Sequence, residues 1–199
     1  MPLSFAVTWD YRCPFARIAH RYITDALLDG ADWQVQFVPF CLGQVHVEPG
    51  EPDIWDRPDD DSGLVAMQYA IAVRELQPDK FVAFHHRLFE GRHQSGMALD
   101  RADIIEDLAT DCGLDTPTLS DFVGTGTPLA IIREEHTNAE RSLDVWGVPT
   151  FMSETHAVFV RLMDLPESPD MARQKIEKIV EMLTEWPSLN EYKHTRLMR

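Results

Sequence analysis

LSFAVTWDYRCPFARIAHRYITDALLDG, residues 3–30, decides the fold, because a strand pattern runs directly into a helix pattern. Up to Trp9, apolar residues alternate with small ones, which predicts a strand covered on both faces. From Pro14 the apolar residues recur at helical spacing until Gly30, which predicts a helix with Cys13 at its N-cap. A cysteine therefore lies at the junction of the first strand and the first helix.

A second strand pattern follows this helix. Trp33, Val35 and Phe37 alternate with the residues between them, a spacing that predicts a strand. Pro39 ends the run and cannot donate a hydrogen bond to a neighbouring strand, so we expect this strand at an edge of the sheet. Strand, helix and strand together form one βαβ unit.

Helical spacing dominates the middle of the chain. Residues 42–62 are rich in proline, glycine and aspartate, so we expect a connecting loop there. From residue 64 to residue 144 the apolar residues follow a helical period, which glycine- and proline-containing stretches interrupt. Four or five helices are predicted in this segment, and it carries no strand signal.

Strand signals return after these helices. Residues 149–152 and 157–160 are joined by a short turn and predict a hairpin. Ser168 followed by Pro169 has the pattern of a helix N-terminus, and the last predicted helix ends before Pro187. The strands therefore resume after a helical insertion.

These elements predict an α/β fold with a β-α-β / β-β-α core and an inserted all-helical subdomain. Residues 1–62 and 146–199 are predicted to form one discontinuous domain. Residues 63–145 are predicted to form the inserted subdomain.

The charge balance limits the classes of partner. The chain has 199 residues with 18 Lys or Arg and 33 Asp or Glu, so its formal net charge is −15. This charge repels phosphate backbones and acidic lipid surfaces, so we expect neither nucleic acid nor a membrane as a partner. Residues 1–5 lack the basic and apolar regions of a secretory signal, and no apolar run approaches the length of a membrane span. We therefore expect a cytoplasmic protein.

Three cysteines, Cys13, Cys41 and Cys112, are too few and too widely spaced for a disulfide framework or a zinc site. At Cys13 the unpaired N–H groups and the positive end of the helix stabilise a thiolate, and the adjacent Arg12 is expected to act in the same direction. We therefore expect a lowered pKa for the Cys13 thiol and faster alkylation than at the other two cysteines. The alternative from position alone is that Cys13 merely caps the helix.

The residues CPFA at 13–16 and WGVPTF at 146–151 resemble the two active-site motifs of the thioredoxin superfamily, and the helical insert between them resembles the DsbA branch. The resemblance implies a thioredoxin-like fold in which Cys13 is the catalytic nucleophile. It also implies a cis Val148–Pro149 bond beside the cysteine, with the Val148 backbone available to a bound thiol substrate. The residues expected to line the substrate groove are Tyr11, Arg12, Pro14, Phe15, Val148, Pro149 and Thr150.

The C-terminal segment carries a narrower resemblance. Residues 186–196 are similar to the tail of actinobacterial DsbA-like proteins that include a mycothiol-dependent nitroreductase. Lys193, His194, Arg196 and Arg199 are conspicuous cations in an acidic chain and are candidates for binding the carboxylate of a small thiol. The alternative is an amphipathic extension packed on the surface.

One departure from the family pattern changes the expected chemistry. Ala16 stands where dithiol oxidoreductases have their second cysteine, so Cys13 cannot close a disulfide within the motif. We therefore expect monothiol exchange or reduction of a small substrate, with no bound cofactor and with mycothiol or glutathione as cosubstrate. Cys41 and Cys112 are the other possible resolving thiols, and burial as structural cysteines is the commoner fate.

Two other classes of function stay open. The first is an enzyme resembling the kappa-class glutathione transferases and 2-hydroxychromene-2-carboxylate isomerases, in which the residue at the helix start activates bound glutathione. The second is a non-catalytic binding or chaperone-like protein. His85, His86 and His93 lack partners at ligand spacing, so no metal site is expected. The expected partner is a small-molecule thiol or disulfide, and a homodimer stays open.

Overall fold

The computed structural model describes residues 2–195, which contain one mixed four-stranded sheet. Its strands are β1 (Leu3–Trp9), β2 (Trp33–Pro39), β3 (Thr150–Met152) and β4 (Ala157–Phe159). They lie in the order β2-β1-β3-β4, with β1 parallel to β2 and antiparallel to β3, and with β3 antiparallel to β4. The predicted hairpin at the end of the sheet is confirmed.

Eight α-helices accompany this sheet within residues 2–195. They are α1 (Pro14–Leu28), α2 (Leu42–Val45), α3 (Leu64–Leu76), α4 (Pro78–Ser95), α5 (Ala102–Asp111), α6 (Thr116–Gly124), α7 (Thr127–Leu143) and α8 (Pro169–Glu185). No helix in the described part of the chain is both long enough and apolar enough to cross a lipid bilayer.

The β1 strand lies inside the sheet, and β2 lies at its edge. Leu3 pairs with Trp33 at one end of the parallel register, and Trp9 pairs with Pro39 at the other. Because β2 has no partner on its outer side, a proline at its end costs no ladder hydrogen bond. The edge position predicted from Pro39 is confirmed.

Helix α1 begins as the sequence predicts. Cys13 is its N-cap, with extended backbone angles, and its sulfur accepts a hydrogen bond from the Ala16 N–H. Pro14 occupies the first turn, where the missing N–H has no helical partner to lose. The helix is followed by Gly30 at φ = 90°, a left-handed backbone conformation that favours glycine. Helix α1 packs against α4 and α8, which fixes the direction of its N-terminus.

Five helices, α3 to α7, lie between β2 and β3, in agreement with the predicted four or five. Helix α3 is buried along most of its length and packs against α4, α5, α6 and α7. An apolar helix in the middle of the insert gives the other four a common surface to cover.

The segment 42–62 is more ordered than the loop expected there. It contains α2 and two 3₁₀ turns, Ile54–Asp56 and Pro58–Asp60. The Gln44 side chain accepts a hydrogen bond from the Ile54 N–H and donates one to Asp53 Oδ1, both at 2.9 Å. These local side-chain bonds, together with the burial of Trp55, hold a proline-rich stretch in one conformation.

The last helix also begins as predicted. The Ser168 hydroxyl accepts a hydrogen bond from the Met171 N–H at 3.2 Å, and Pro169 follows it in the first turn. The cationic tail proposed from the sequence lies only partly in the described chain. Lys193 and His194 are exposed, whereas Arg196 and Arg199 lie outside the described residues.

Candidate functional site

Cys13 faces the loop that precedes β3. Its thiol donates a hydrogen bond to the Val148 carbonyl oxygen at 3.5 Å and accepts one from the Ala16 N–H at 3.4 Å. The Val148–Pro149 peptide bond is cis, and both residues are buried. Cys13 itself is 9% exposed. The two motifs, 135 positions apart in the chain, therefore meet at one sulfur atom.

Thr8 holds this loop against the sheet. Its hydroxyl donates to the Gly147 carbonyl oxygen at 3.1 Å and accepts from the Thr150 N–H at 2.8 Å. The Thr150 hydroxyl also donates to the Gly147 carbonyl, at 2.8 Å. Thr150, predicted to line the substrate groove, is buried, and its hydroxyl is committed to the loop. Thr8 was missed from the sequence, where the only signal was a hydroxyl inside a strand buried on both faces.

The environment of Cys13 does not give the low pKa predicted for its thiol. Burial raises the pKa of this thiol, and the charge of Asp10 adds to the rise. The N–H groups of Ala16 and Phe15 and the charge of Arg161 lower the pKa, without offsetting the burial. The hydrogen bond from the thiol to Val148 also stabilises the protonated form. The prediction was wrong because it counted the helix N-terminus and neglected desolvation.

Arg12 is not directed at the thiol, which corrects its predicted role. Its guanidinium binds Asp10 Oδ2 at 2.6 Å and Asp61 Oδ2 at 2.7 Å. Asp10 also accepts hydrogen bonds from the Arg12 and Leu42 N–H groups, both at 2.8 Å. Asp61 caps α3 by accepting from the Leu64 N–H at 3.1 Å. We call residues 10–13, between β1 and α1, the Cys13 loop. Arg12 joins this loop to the starts of α2 and α3.

Cys41 belongs to this ion-pair network. Its sulfur lies 3.7 Å from Asp61 Oδ2 and 3.8 Å from the guanidinium of Arg12. Burial, reinforced by Asp61 and Asp10, raises the pKa of the Cys41 thiol to about 12. A fully buried thiol with such a pKa is a poor nucleophile at neutral pH.

Tyr11 is fully buried, so it does not line an open groove as predicted. Its hydroxyl is 2.7 Å from His85 Nδ1, His85 Nε2 is 2.9 Å from His20 Nδ1, and His20 Nε2 is 3.0 Å from the Thr8 carbonyl oxygen. The carbonyl can only accept, so His20 Nε2 carries a proton. Burial lowers the pKa of both imidazoles, and with both neutral each step of the chain donates toward Thr8. We call Tyr11, His85 and His20 the histidine chain. It runs from the Cys13 loop into the core. No metal-binding cluster occurs among the described residues.

The histidine chain predicts a stability that depends on pH. Burial lowers the pKa of His20 from 6.5 to about 4, and it lowers the pKa of His85 as well. The unfolded chain therefore binds a proton below pH 6.5, whereas the native His20 does so only near pH 4. The neutral His20 therefore makes its full contribution to the free energy of unfolding above pH 6.5. This contribution falls by roughly 3 kcal/mol as the pH drops toward 4.

Urea unfolding at several pH values between 7 and 4 measures this loss. We expect the slope in this range to be smaller in a His20→Gln variant than in the unmodified protein. His156→Gln, in the exposed hairpin turn, is the matched control. Equal slopes in all three proteins would contradict the assignment.

The open side of Cys13 is formed by other residues. Pro14 is exposed, and the ring of Phe15 lies 4.3 Å beneath the guanidinium of Arg161. Arg161 also lies over the ring of Phe159, at 5.7 Å, and Phe159 stacks on Trp146 with ring centroids 4.6 Å apart. Arg161 and Phe159 were missed from the sequence, because only the pairing of β4 with β3 brings them between the first turn of α1 and the loop before β3.

The structure thus brings together five of the predicted residues, and it places the other three elsewhere. The five are Cys13, Pro14, Phe15, Val148 and Pro149. The side chains of Tyr11 and Arg12 bind buried partners instead, and Thr150 holds the loop before β3.

Comparison with known proteins identifies the fold. No protein-family model matches the chain, and no curated protein matches its sequence. Among solved structures, a 2-hydroxychromene-2-carboxylate isomerase is similar at a TM-score of 0.63 and 14% identity, over 90% of this chain and 97% of the other. The thiol-disulfide exchange protein alpha-DsbA2 of Wolbachia pipientis gives a TM-score of 0.57 at 19% identity, over 89% and 81% of the two chains.

BdbD of Bacillus subtilis gives a TM-score of 0.57 at 17% identity, over 89% of this chain and 87% of its own. These neighbours are DsbA-like proteins of the thioredoxin superfamily. At such identities the similarity shows the fold alone. The predicted fold class, a thioredoxin-like core with an inserted helical subdomain, is confirmed.

Proposed function

We propose that this protein catalyses monothiol exchange between small thiols and disulfides, with Cys13 as nucleophile. The observation that carries the proposal is the contact of Cys13, the N-cap of α1, with the carbonyl of Val148. Ala16 occupies the position of a second cysteine. The Cys13 sulfur lies 3.5 Å from the Val148 carbonyl oxygen, in a residue that is only 9% exposed. The DsbA-like fold supports the same reaction class.

The reaction has two steps that balance without a net oxidant. The Cys13 thiol loses its proton to solvent, and the thiolate attacks one sulfur of a disulfide R–S–S–R′. A Cys13–S–S–R bond forms, and R′–S⁻ leaves. The thiolate of a small cosubstrate then attacks the R sulfur, so that Cys13 is released as a thiolate and a new disulfide leaves. We propose mycothiol or glutathione as that cosubstrate.

The Val148 carbonyl gives the first step a structural consequence. In the free protein it accepts the Cys13 S–H, which favours the protonated thiol. A bound substrate that pairs with the Val148 backbone would remove this acceptor from the sulfur. We propose that substrate binding thereby releases the thiolate, which would keep a raised resting pKa compatible with turnover.

The raised pKa predicts how Cys13 responds to pH. We expect its rate of alkylation by iodoacetamide still to increase at about pH 8.5, the ordinary thiol value, with no plateau near neutrality. Peptide mass spectrometry of protein quenched at successive times gives the rate at each pH. Arg161→Gln should shift the curve to higher pH, because the charge of Arg161 lowers the pKa of this thiol. A plateau below pH 7 would contradict a raised pKa of the Cys13 thiol.

A steady-state assay tests the proposed function. Exchange of bis(hydroxyethyl) disulfide is followed with mycothiol and, separately, with glutathione as the second thiol. We expect turnover with one of them well above the uncatalysed rate. Rates equal to the uncatalysed reaction with both thiols would overturn the proposal and favour a non-catalytic binding protein.

The similarity to 2-hydroxychromene-2-carboxylate isomerase favours a second candidate. In an enzyme of that kind, the residue at the helix start would activate a bound thiol cosubstrate without forming a bond to it. Cys13→Ser separates the two mechanisms. The serine hydroxyl can still donate a hydrogen bond to a bound thiolate. Partial thiol-dependent activity of this variant would therefore favour the second candidate.

A further inference from the structure

Four side chains form a continuous stack beside Cys13, in the order Phe15, Arg161, Phe159 and Trp146. The guanidinium of Arg161 lies 4.3 Å from the ring centre of Phe15 and 5.7 Å from that of Phe159. The Phe159 and Trp146 rings are 4.6 Å apart at an angle of 33°. We call this set the Arg161 stack. It joins the first turn of α1 to the loop before β3.

Trp146 is exposed to an unusual degree for a tryptophan. Its side chain is 65% exposed, although one face already packs on Phe159. The open face of this indole can stack on a flat ligand.

Arg161 offers a positive charge that the rest of the described chain does not neutralise. Within residues 2–195 no carboxylate forms an ion pair with it, and no oxygen accepts a hydrogen bond from its guanidinium. The nearest aromatic contact of the guanidinium is the ring of Phe15, at 4.3 Å, and its N–H donors are available to an acceptor. Although the chain has a net charge of −15, the guanidinium of Arg161 attracts anionic ligands to this site.

The stack also lies at the correct place for a substrate of the proposed reaction. Phe15 is two residues after Cys13, and Trp146 is two residues before Val148, whose carbonyl is 3.5 Å from the Cys13 sulfur. The charge of Arg161 acts on the Cys13 thiol. A ligand held on the stack therefore lies next to the sulfur that would attack it.

We propose that the Arg161 stack binds an aromatic ring bearing a carboxylate, so that the preferred disulfide or thiol substrate carries an anionic aromatic group. Arg161 pairs with the carboxylate through its edge donors, and the open face of Trp146 stacks on the ring. This inference rests on the proposed function, because it names the substrate class of the same site.

Four disulfides test the two requirements separately. They are para-substituted dithiodibenzoate (aromatic, anionic), dithiodipyridine (aromatic, neutral), dithiodipropionate (aliphatic, anionic) and bis(hydroxyethyl) disulfide (aliphatic, neutral). Each rate of reaction at Cys13 is divided by the rate with free N-acetylcysteine, which removes intrinsic reactivity. We expect a preference of roughly tenfold or more for dithiodibenzoate over the other three, equivalent to about 1.4 kcal/mol.

Substitutions at two positions show which side chain causes each part of the substrate preference. Arg161→Gln should abolish the advantage of the anion, and Trp146→Ala should abolish the advantage of the ring, whereas Trp146→Phe should retain most of it. Ratios between substrates cancel any change in the Cys13 pKa. Arg141→Gln, at an exposed position on α7, is the matched control and should leave the ratios unchanged. Ratios unaffected by both Arg161→Gln and Trp146→Ala would overturn the inference.

A binding measurement separates this inference from the proposed function. In a Cys13→Ser background, calorimetry measures the affinity for naphthoate and for the neutral naphthalene methanol. Naphthoate binding that is lost with Arg161→Gln and with Trp146→Ala supports the inference even if no disulfide reacts at Cys13. Exchange at Cys13 with no preference and no naphthoate binding would overturn the inference and leave the proposed function standing.

Discussion

Replacing Arg12 by methionine is expected to lower the free energy of unfolding by roughly 3–5 kcal/mol, the cost of removing one partner from a buried ion pair. Asp10 and Asp61, 0% and 1% exposed, both depend on the guanidinium of Arg12, which is itself only 21% exposed. Without it, two carboxylates face each other across a site that water hardly enters. Urea unfolding at neutral pH, monitored by circular dichroism, measures the change.

A second substitution shows whether the carboxylates cause this loss. Arg12→Met combined with Asp61→Asn leaves one buried carboxylate instead of two, and the asparagine oxygen can still cap α3. The double variant is therefore expected to recover part of the lost stability. Arg101→Met, which removes an exposed ion pair with Asp103, is the control. A loss at Arg12→Met no larger than at Arg101→Met would contradict the assigned role.

Cys13→Ser is expected to reduce thiol exchange by about a thousandfold or more, because a serine hydroxyl cannot form the mixed disulfide. The assay is the exchange of bis(hydroxyethyl) disulfide with the preferred small thiol. The variant should fold, since a hydroxyl can accept the hydrogen bond from Ala16 that caps α1. Residual activity within tenfold of the unmodified protein would contradict Cys13 as the nucleophile.

Cys112→Ser completes this comparison. Cys112 lies at the end of α5, in the helical segment between β2 and β3, and monothiol exchange does not involve it. Activity near that of the unmodified protein is expected. A large loss would instead identify Cys112 as a resolving thiol.

The fold could be predicted from the sequence because its signals are local. Three of these signals each act within a few residues. They are the period of two up to Trp9, the proline in the first turn of α1 and the proline at the end of β2. The N–H groups that donate to the capping side chains of Ser168 and Cys13 are likewise three positions away. Patterns of this kind can be recognised without knowledge of the three-dimensional structure.

The candidate site could be predicted only in part, because its remaining contacts join distant positions. Arg12 follows Asp10 closely, but its second carboxylate is Asp61, 49 positions along the chain. The hydroxyl of Tyr11 meets a histidine 74 positions away. The sequence therefore predicts Tyr11 and Arg12 in the substrate groove because they precede Cys13. In the structure their side chains bind buried partners instead.

The pKa of Cys13 shows the same limit in energetic terms. A helix N-terminus is visible in the sequence, and alone it would lower the pKa of the thiol. The loss of hydration on burial opposes it, and the structure shows that burial prevails. Desolvation depends on how β3 and its preceding loop cover the sulfur, which no local pattern reveals.

Mass spectrometry of the protein after exposure to mycothiol disulfide or glutathione disulfide tests the central proposal most directly. We expect one adduct, located by peptide mapping on Cys13 and released when the free small thiol is added. Cys41 should remain unmodified, as expected from its full burial. An unmodified Cys13, or an adduct confined to Cys112, would contradict the account.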